Sequence, residues 1–110
     1  MSDYPVEVSV TDVQRLMAED KIVLIDCRES DEYDVARIDG SVLIPMSSWM
    51  NEQHKLPENK DQHIVVHCHH GGRSLRVTNW MRENGFVNTQ NMTGGIDAWS
   101  QQIDASVPQY

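Results

Sequence analysis

The sequence predicts an α/β domain with a mostly parallel sheet, and three observations carry that prediction. Ile22-Val23-Leu24-Ile25, Val42-Leu43-Ile44 and Ile64-Val65-Val66-His67 are continuous apolar runs, the pattern of strands covered on both faces. Segments with helical spacing lie between and after them, bounded by Gly, Pro or Asn turn signals, as parallel strands joined by crossover helices require. Leu, Ile, Val and Phe make up 25 of the 110 residues. That is enough for one hydrophobic core, and one domain is expected over 1–110 with its core at about 8–100.

The elements follow in order. Ser9, with Asp12 three residues on, reads as a capping box. Val13, Leu16 and Met17 follow at helical spacing, so a short amphipathic helix is expected over about 10–19. The first strand is 22–25, and Ser30 to Ala36 reads as a short acidic helix. Asp39-Gly40 is a turn before a second buried strand, 42–44, which Pro45 ends. A helical turn is expected at 47–53, and polar Glu52–Gln62, with Pro57, reads mostly as loop. The third strand is 64–67, followed by a loop over Cys68-His69-His70-Gly71-Gly72-Arg73. Ser74 opens a helix with Leu75, Val77, Trp80 and Met81 inward, stopped by Asn84-Gly85. A weak strand near 87–92 precedes Gly94-Gly95, which breaks the chain before a helix carrying Ile96 and Trp99.

Charge and cysteine content exclude several functions. The chain has 9 basic and 17 acidic residues, a net charge of −8 with neutral His. Such a surface lacks the phosphate-neutralising side chains of a nucleic-acid binder. It also opposes long-range capture of small anions, so an anion site must be built locally from backbone amides or a placed Arg. No apolar run approaches the ~18 residues of a membrane span. Met1-Ser2-Asp3-Tyr4-Pro5 has neither the basic nor the apolar region of a secretory signal. A reducing, cytoplasmic location is therefore expected, with no membrane or nucleic-acid partner. Two cysteines, Cys27 and Cys68, are too few for a disulfide scaffold or an all-cysteine zinc site.

The segment that carries chemistry runs from strand to Cys68, through a loop with two glycines, into a helix. Ligands in open α/β sheets sit beyond the carboxyl ends of the strands, where Cys68 falls. The Gly71-Gly72 pair lets the loop curl so that successive N–H groups point inward. The helix adds its unpaired first-turn amides and the positive end of its dipole. Both raise the thiolate fraction of Cys68, which reads as a nucleophile rather than an inert buried thiol. Electrophilic sulfur or phosphorus bearing negative oxygens suits such a group.

Val66-His67-Cys68-His69-His70-Gly71-Gly72-Arg73-Ser74 resembles the active-site loop of the rhodanese family. Ile25-Asp26-Cys27-Arg28-Glu29, Glu32-Tyr33, Ile38, Gly40-Ser41 and Ile44-Pro45 resemble its first signature, and Gly94-Gly95-Ile96-Asp97-Ala98-Trp99 its closing one. The blocks lie in the family's order and cover about 8–100. The resemblance implies a five-stranded, mostly parallel sheet flanked by helices. It also implies sulfur transfer through a persulfide on Cys68. The donor would be a small thiosulfate-like anion, the acceptor cyanide or a thiol, and no metal or organic cofactor would be needed. Four residues separate Cys68 from Arg73, where similar cysteine phosphatases carry five. The tighter loop suits a sulfane sulfur better than a phosphate. The alternatives are a sulfur-relay module fed by a partner protein and a noncatalytic interaction domain.

Other residues carry two readings each. Arg73 either stabilises the donor's oxygens or ion-pairs with an acidic neighbour and holds the loop. Asp26 and Arg28 match the family's strand-end pair and are expected to support the loop rather than touch substrate. His69 and His70 form an anion-binding rim or are plain exposed loop histidines. His67, Cys68, His69 and His70 include metal-ligand types, but strand neighbours alternate faces and no distant Cys/His pair completes a tetrahedral set, so no metal is expected. Cys27 stands where the resemblance suggests a buried apolar residue, and a second redox thiol is its sharper reading. Trp80 and Trp99 are expected in the core. Arg37 stands where the family often has a His.

Overall fold

The computed structural model describes residues 4–110; the reading of Met1–Asp3 as part of a start without a leader lies outside them. Five strands form one sheet in the order β1-β5-β4-β2-β3, with every pairing parallel. They are β1 (Glu7–Val8), β2 (Val23–Asp26), β3 (Val42–Leu43), β4 (Ile64–His67) and β5 (Thr89–Met92). The helices are α1 (Val10–Ala18), α2 (Ser30–Val35), α3 (Gly72–Glu83) and α4 (Gly95–Gln102). Two 3-10 turns, Met46–Asn51 and Gln53–Lys55, lie between β3 and β4.

The β-branched runs became the centre of the sheet because they are covered on both faces. β2 and β4 pair in register, Leu24 beside Val65 and Ile25 beside Val66. Alternation then divides the side chains. Leu24, Val65 and Met92 pack with Val10, Val13, Ile96 and Trp99 of α1 and α4. Ile25, Ile64 and Val66 pack with Val77 and Met81 of α3. At α1, Ser9 accepts the Asp12 amide at 3.2 Å, as the capping pattern predicts.

Several expectations are corrected. The run 42–44 yields an edge strand of two residues, with Val42 36% exposed. The helix after the Cys68 loop begins at Gly72 rather than Ser74, and Leu75 faces solvent while Ser74 and Thr78 are buried. Trp99 is in the core, whereas Trp80 packs against it half-buried. β1, too short to show periodicity, has no expectation behind it. In β5, polar Thr89, Gln90 and Asn91 are buried because each is hydrogen-bonded: Thr89 Oγ1 to the Phe86 carbonyl, Gln90 Nε2 to Pro5 and Asn91 Nδ2 to Gly71. Among the described residues no helix is long and apolar enough to cross a membrane.

Candidate active site

Cys68 follows β4 directly, at the carboxyl edge of the sheet, and is 1% exposed. Its Sγ accepts the Gly71 amide at 3.1 Å, the Ser74 amide at 3.4 Å and the Ser74 hydroxyl at 3.3 Å. Gly71 reaches this position with φ of 114°, open to glycine and strained for other residues. Gly72 has no positive φ, and nothing lies within 4 Å of where its side chain would begin. Gly71 alone therefore curls the loop, a correction to the reading that assigned the curl to both glycines. The far side of the loop is held by α4. The Ile96 amide donates to the Cys68 carbonyl at 2.9 Å and the Asp97 amide to His69 at 3.1 Å. Gly95 makes this possible, since a Cβ there would sit 2.4 Å from the His69 oxygen.

The Cys68 thiol is held near pKa 4, first by a hydrogen bond from the Cys27 thiol and then by Ser74 and Gly71, against the opposing effect of burial. Cys27 moves the other way. Its bond to Cys68, burial and the Cys68 charge push it up. Across the pair, Cys68 is the thiolate and Cys27 keeps its proton. The Gly71 and Ser74 amides, a source expected from the sequence, thus share the task with the Ser74 hydroxyl and with a thiol at the end of the neighbouring strand.

Asp26 and Arg28 form a buried pair, with Arg28 Nη2 2.6 Å from Asp26 Oδ2. By alternation Asp26 points to the face away from Cys68. Arg28 also donates to the Ala36 carbonyl at 2.6 Å and to the Tyr110 hydroxyl at 2.8 Å. The pair thus braces the segment leading through α2, and acts on the Cys68 loop at one remove. α2 carries Glu32, which takes the Arg73 guanidinium on both oxygens at 2.6 and 2.9 Å. Arg73 is thereby engaged as a strut between α2 and α3. Arg73 and the Tyr110 hydroxyl together pull Glu32 down to about 2.

His69 is half-buried and His70 exposed. Their rings stack at 4.0 Å, and Tyr110 stacks on His69 at 4.1 Å. Asp97 approaches His70 at 3.8 Å. A ligand atom from each of His69, His70 and Asp97 lies within 4.8 Å of the others, a grouping that the sequence spacing did not show. His67 is fully buried, with its pKa lowered mainly by burial, and lies 3.8 Å from Asp26. Arg37 lies over the Tyr33 ring on the surface.

The Rhodanese-like domain family model matches residues 9–102. The chain belongs to this family. It is 35% identical over 114 residues to the Rhodanese-like/PpiC domain-containing protein 12 of Arabidopsis thaliana, covering 100% of this chain and 38% of that protein. It is 35% identical over 92 residues to the probable adenylyltransferase/sulfurtransferase MoeZ of Mycobacterium tuberculosis, covering 82% of this chain and 23% of that one. This rhodanese-like domain therefore spans well under half of either relative. Its fold matches the human single-domain sulfurtransferase TSTD1 with a TM-score of 0.79 at 24% identity, covering 90% and 98% of the two chains.

The three signatures meet around the Cys68 loop: the first through Cys27 beside Cys68 and Glu32 on Arg73, the second as the loop, the third as the α4 amides. Ser74 and Asn91 had no assigned role in the sequence. The single Ser74 hydroxyl proton is shared between Cys68 Sγ and Asn91 Oδ1, and the Asn91 side-chain amide donates to the Gly71 carbonyl at 3.1 Å. Tyr110, distant from every motif, carried no signal.

Proposed function

We propose that this domain is a sulfurtransferase in which Cys68 carries sulfane sulfur. The observation that supports the reading is a buried thiolate surrounded by N–H, O–H and S–H donors, with the nearby Arg73 guanidinium tied to Glu32. In the first half-reaction Cys68 Sγ attacks the outer sulfur of thiosulfate. The S–S bond of the donor breaks, and sulfite leaves with the electron pair. The terminal sulfur of the persulfide holds the negative charge near the Gly71 and Ser74 donors. In the second, cyanide or a thiolate attacks that terminal sulfur and the Cys68 thiolate departs, completing a double-displacement cycle. The chemistry draws on no metal or organic cofactor, and both partners are small anions or thiols. A protein persulfide serves equally as donor under this scheme. The relative named adenylyltransferase/sulfurtransferase, in which the matching region is 23% of the length, motivates that second donor class.

Mass spectrometry after thiosulfate treatment tests the reading. The expected product is an adduct of one sulfur on Cys68, removed by cyanide with release of thiocyanate. Cys68→Ser should fold and show neither, because a hydroxyl is barely ionised near neutral pH and cannot hold sulfane sulfur. Turnover retained in folded Cys68→Ser would remove Cys68 from the mechanism. An adduct from a protein persulfide but not from thiosulfate would assign the domain to sulfur relay.

A further inference from the structure

In the sulfur-transfer scheme Cys27 serves only to favour the Cys68 thiolate, and its own sulfur takes no part in the chemistry. The β2–β4 register pairs Asp26 with His67. The ladder continues one residue further, because the Cys27 amide donates to the His67 carbonyl at 3.1 Å. Cys27 and Cys68 are therefore cross-strand neighbours. Adjacent strands lie about 4.8 Å apart, within the roughly 4.4–6.8 Å between Cα atoms that a disulfide spans. The two side chains do not diverge. Both belong to the same side of the sheet, in one cluster with Ile25, Ile64 and Val66. Both are free cysteines, 0% and 1% exposed.

We propose that Cys27 is a resolving thiol that converts peroxide-oxidised Cys68 into an intramolecular Cys27–Cys68 disulfide. The Cys68 thiolate attacks one oxygen of hydrogen peroxide, the O–O bond breaks, and hydroxide leaves, giving a sulfenic acid on Cys68. The Cys27 sulfur then attacks Cys68 Sγ. The S–O bond breaks, and the departing hydroxide takes the Cys27 proton as water. Cys68 is oxidised by two electrons at the cost of the peroxide, and a dithiol reductant returns both thiols. Loss of the Cys68 negative charge at the first step removes one of the causes that hold the proton on Cys27, while burial remains. Without it, Cys68 would advance to the sulfinic acid, which reductants do not restore. The bond forms whether or not Cys68 ever carries sulfane sulfur, so this site stands or falls apart from the thiosulfate test.

The experiment is treatment of the full chain with hydrogen peroxide, capping of free thiols, and tryptic mapping without reduction. Cleavage after Lys21, Arg28, Lys60 and Arg73 places the cysteines in peptides 22–28 and 61–73. The expected product is a link between these two peptides in protein that remains monomeric, lost on dithiothreitol treatment. Cys27→Val and Cys27→Ser should both lack the link and accumulate sulfinic acid on Cys68 severalfold faster than the parent. Cys27→Ser keeps a hydrogen-bond donor, which separates resolving from merely solvating Cys68. The mapping of the parent protein decides the question even if Cys27→Val fails to fold. The proposal is overturned by any of three results: no linked peptide while Cys68 is over-oxidised equally in all three proteins, a link found only between two chains, or protection by Cys27→Ser equal to that of Cys27.

Discussion

At the scale of single residues, the Cys68 thiolate depends on donors that can be removed one at a time. Ser74 supplies two of them, and only the hydroxyl is lost in Ser74→Ala. A hydrogen bond to a charged group contributes about 1.5–3 kcal/mol, and about 1.4 kcal/mol corresponds to one pH unit of titration. Removing a donor to the thiolate favours the thiol. The Ser74 proton is shared with Asn91 Oδ1, so the midpoint for alkylation of Cys68 by iodoacetamide should rise by at most about one to two pH units from about 4. A midpoint that stays in place would show that the amides and Cys27 suffice. The two loop glycines separate just as cleanly. Gly71→Ala places a side chain at φ of 114°, which costs roughly 1–3 kcal/mol. Gly72→Ala meets open space in the first turn of α3 and should stabilise by about 0.4–1 kcal/mol. Urea denaturation of the two variants should shift their midpoints in opposite directions.

At the scale of elements, the Cys68 loop is held from two sides. α4 binds its carbonyls, and α2 reaches α3 through Glu32 and Arg73. The Arg73 side chain is 35% exposed and Glu32 19%, so solvent screening limits the pair to about 1 kcal/mol. Its pH dependence has a definite sign. The folded-state pKa of Glu32 is lowered from 4.5 to about 2. Its contribution is therefore complete above pH 4.5 and lost as pH falls toward 2. Glu32→Gln should lower stability at neutral pH, and the difference from the parent should shrink across that acid window. Thermal unfolding in matched buffers measures it. A difference independent of pH would mean that the carboxylate charge is not what joins α2 to α3.

At the scale of the whole molecule, the net charge of −8 opposes a dianion while the loop donors attract it at contact. The Debye length is about 10 Å at 0.1 M salt, so added salt weakens the repulsion across the surface more than the contacts at Cys68. If thiosulfate is the donor, kcat/KM for it should stay level or rise modestly as inert salt increases. A steep fall would show that exposed cations, Arg76 or the rim histidines, dominate capture. Steady-state rates over a salt series read the outcome directly.

The sequence by itself determined the class of fold and the position of the thiol proposed as nucleophile. Both are local: unbroken β-branched runs declare strands covered on two faces, and Cys68 between such a run and a glycine-bearing loop declares a strand-end thiol. The helical cap at Ser9 and the break at Gly94-Gly95 are likewise written in neighbouring residues. What Arg73 binds was open in the sequence, because Glu32 lies on another helix and only the crossover of α2 brings it within 2.6 Å. The same holds for Tyr110 against Arg28 and Glu32, and for Asp97 beside the rim histidines. The orientation of Cys27 was the sharpest such case. Strand adjacency follows from the topology, but whether two thiols face each other depends on register, since a slip of one residue turns every side chain to the opposite face. The β2–β4 pairing settled that, and with it the donor that most lowers the Cys68 pKa.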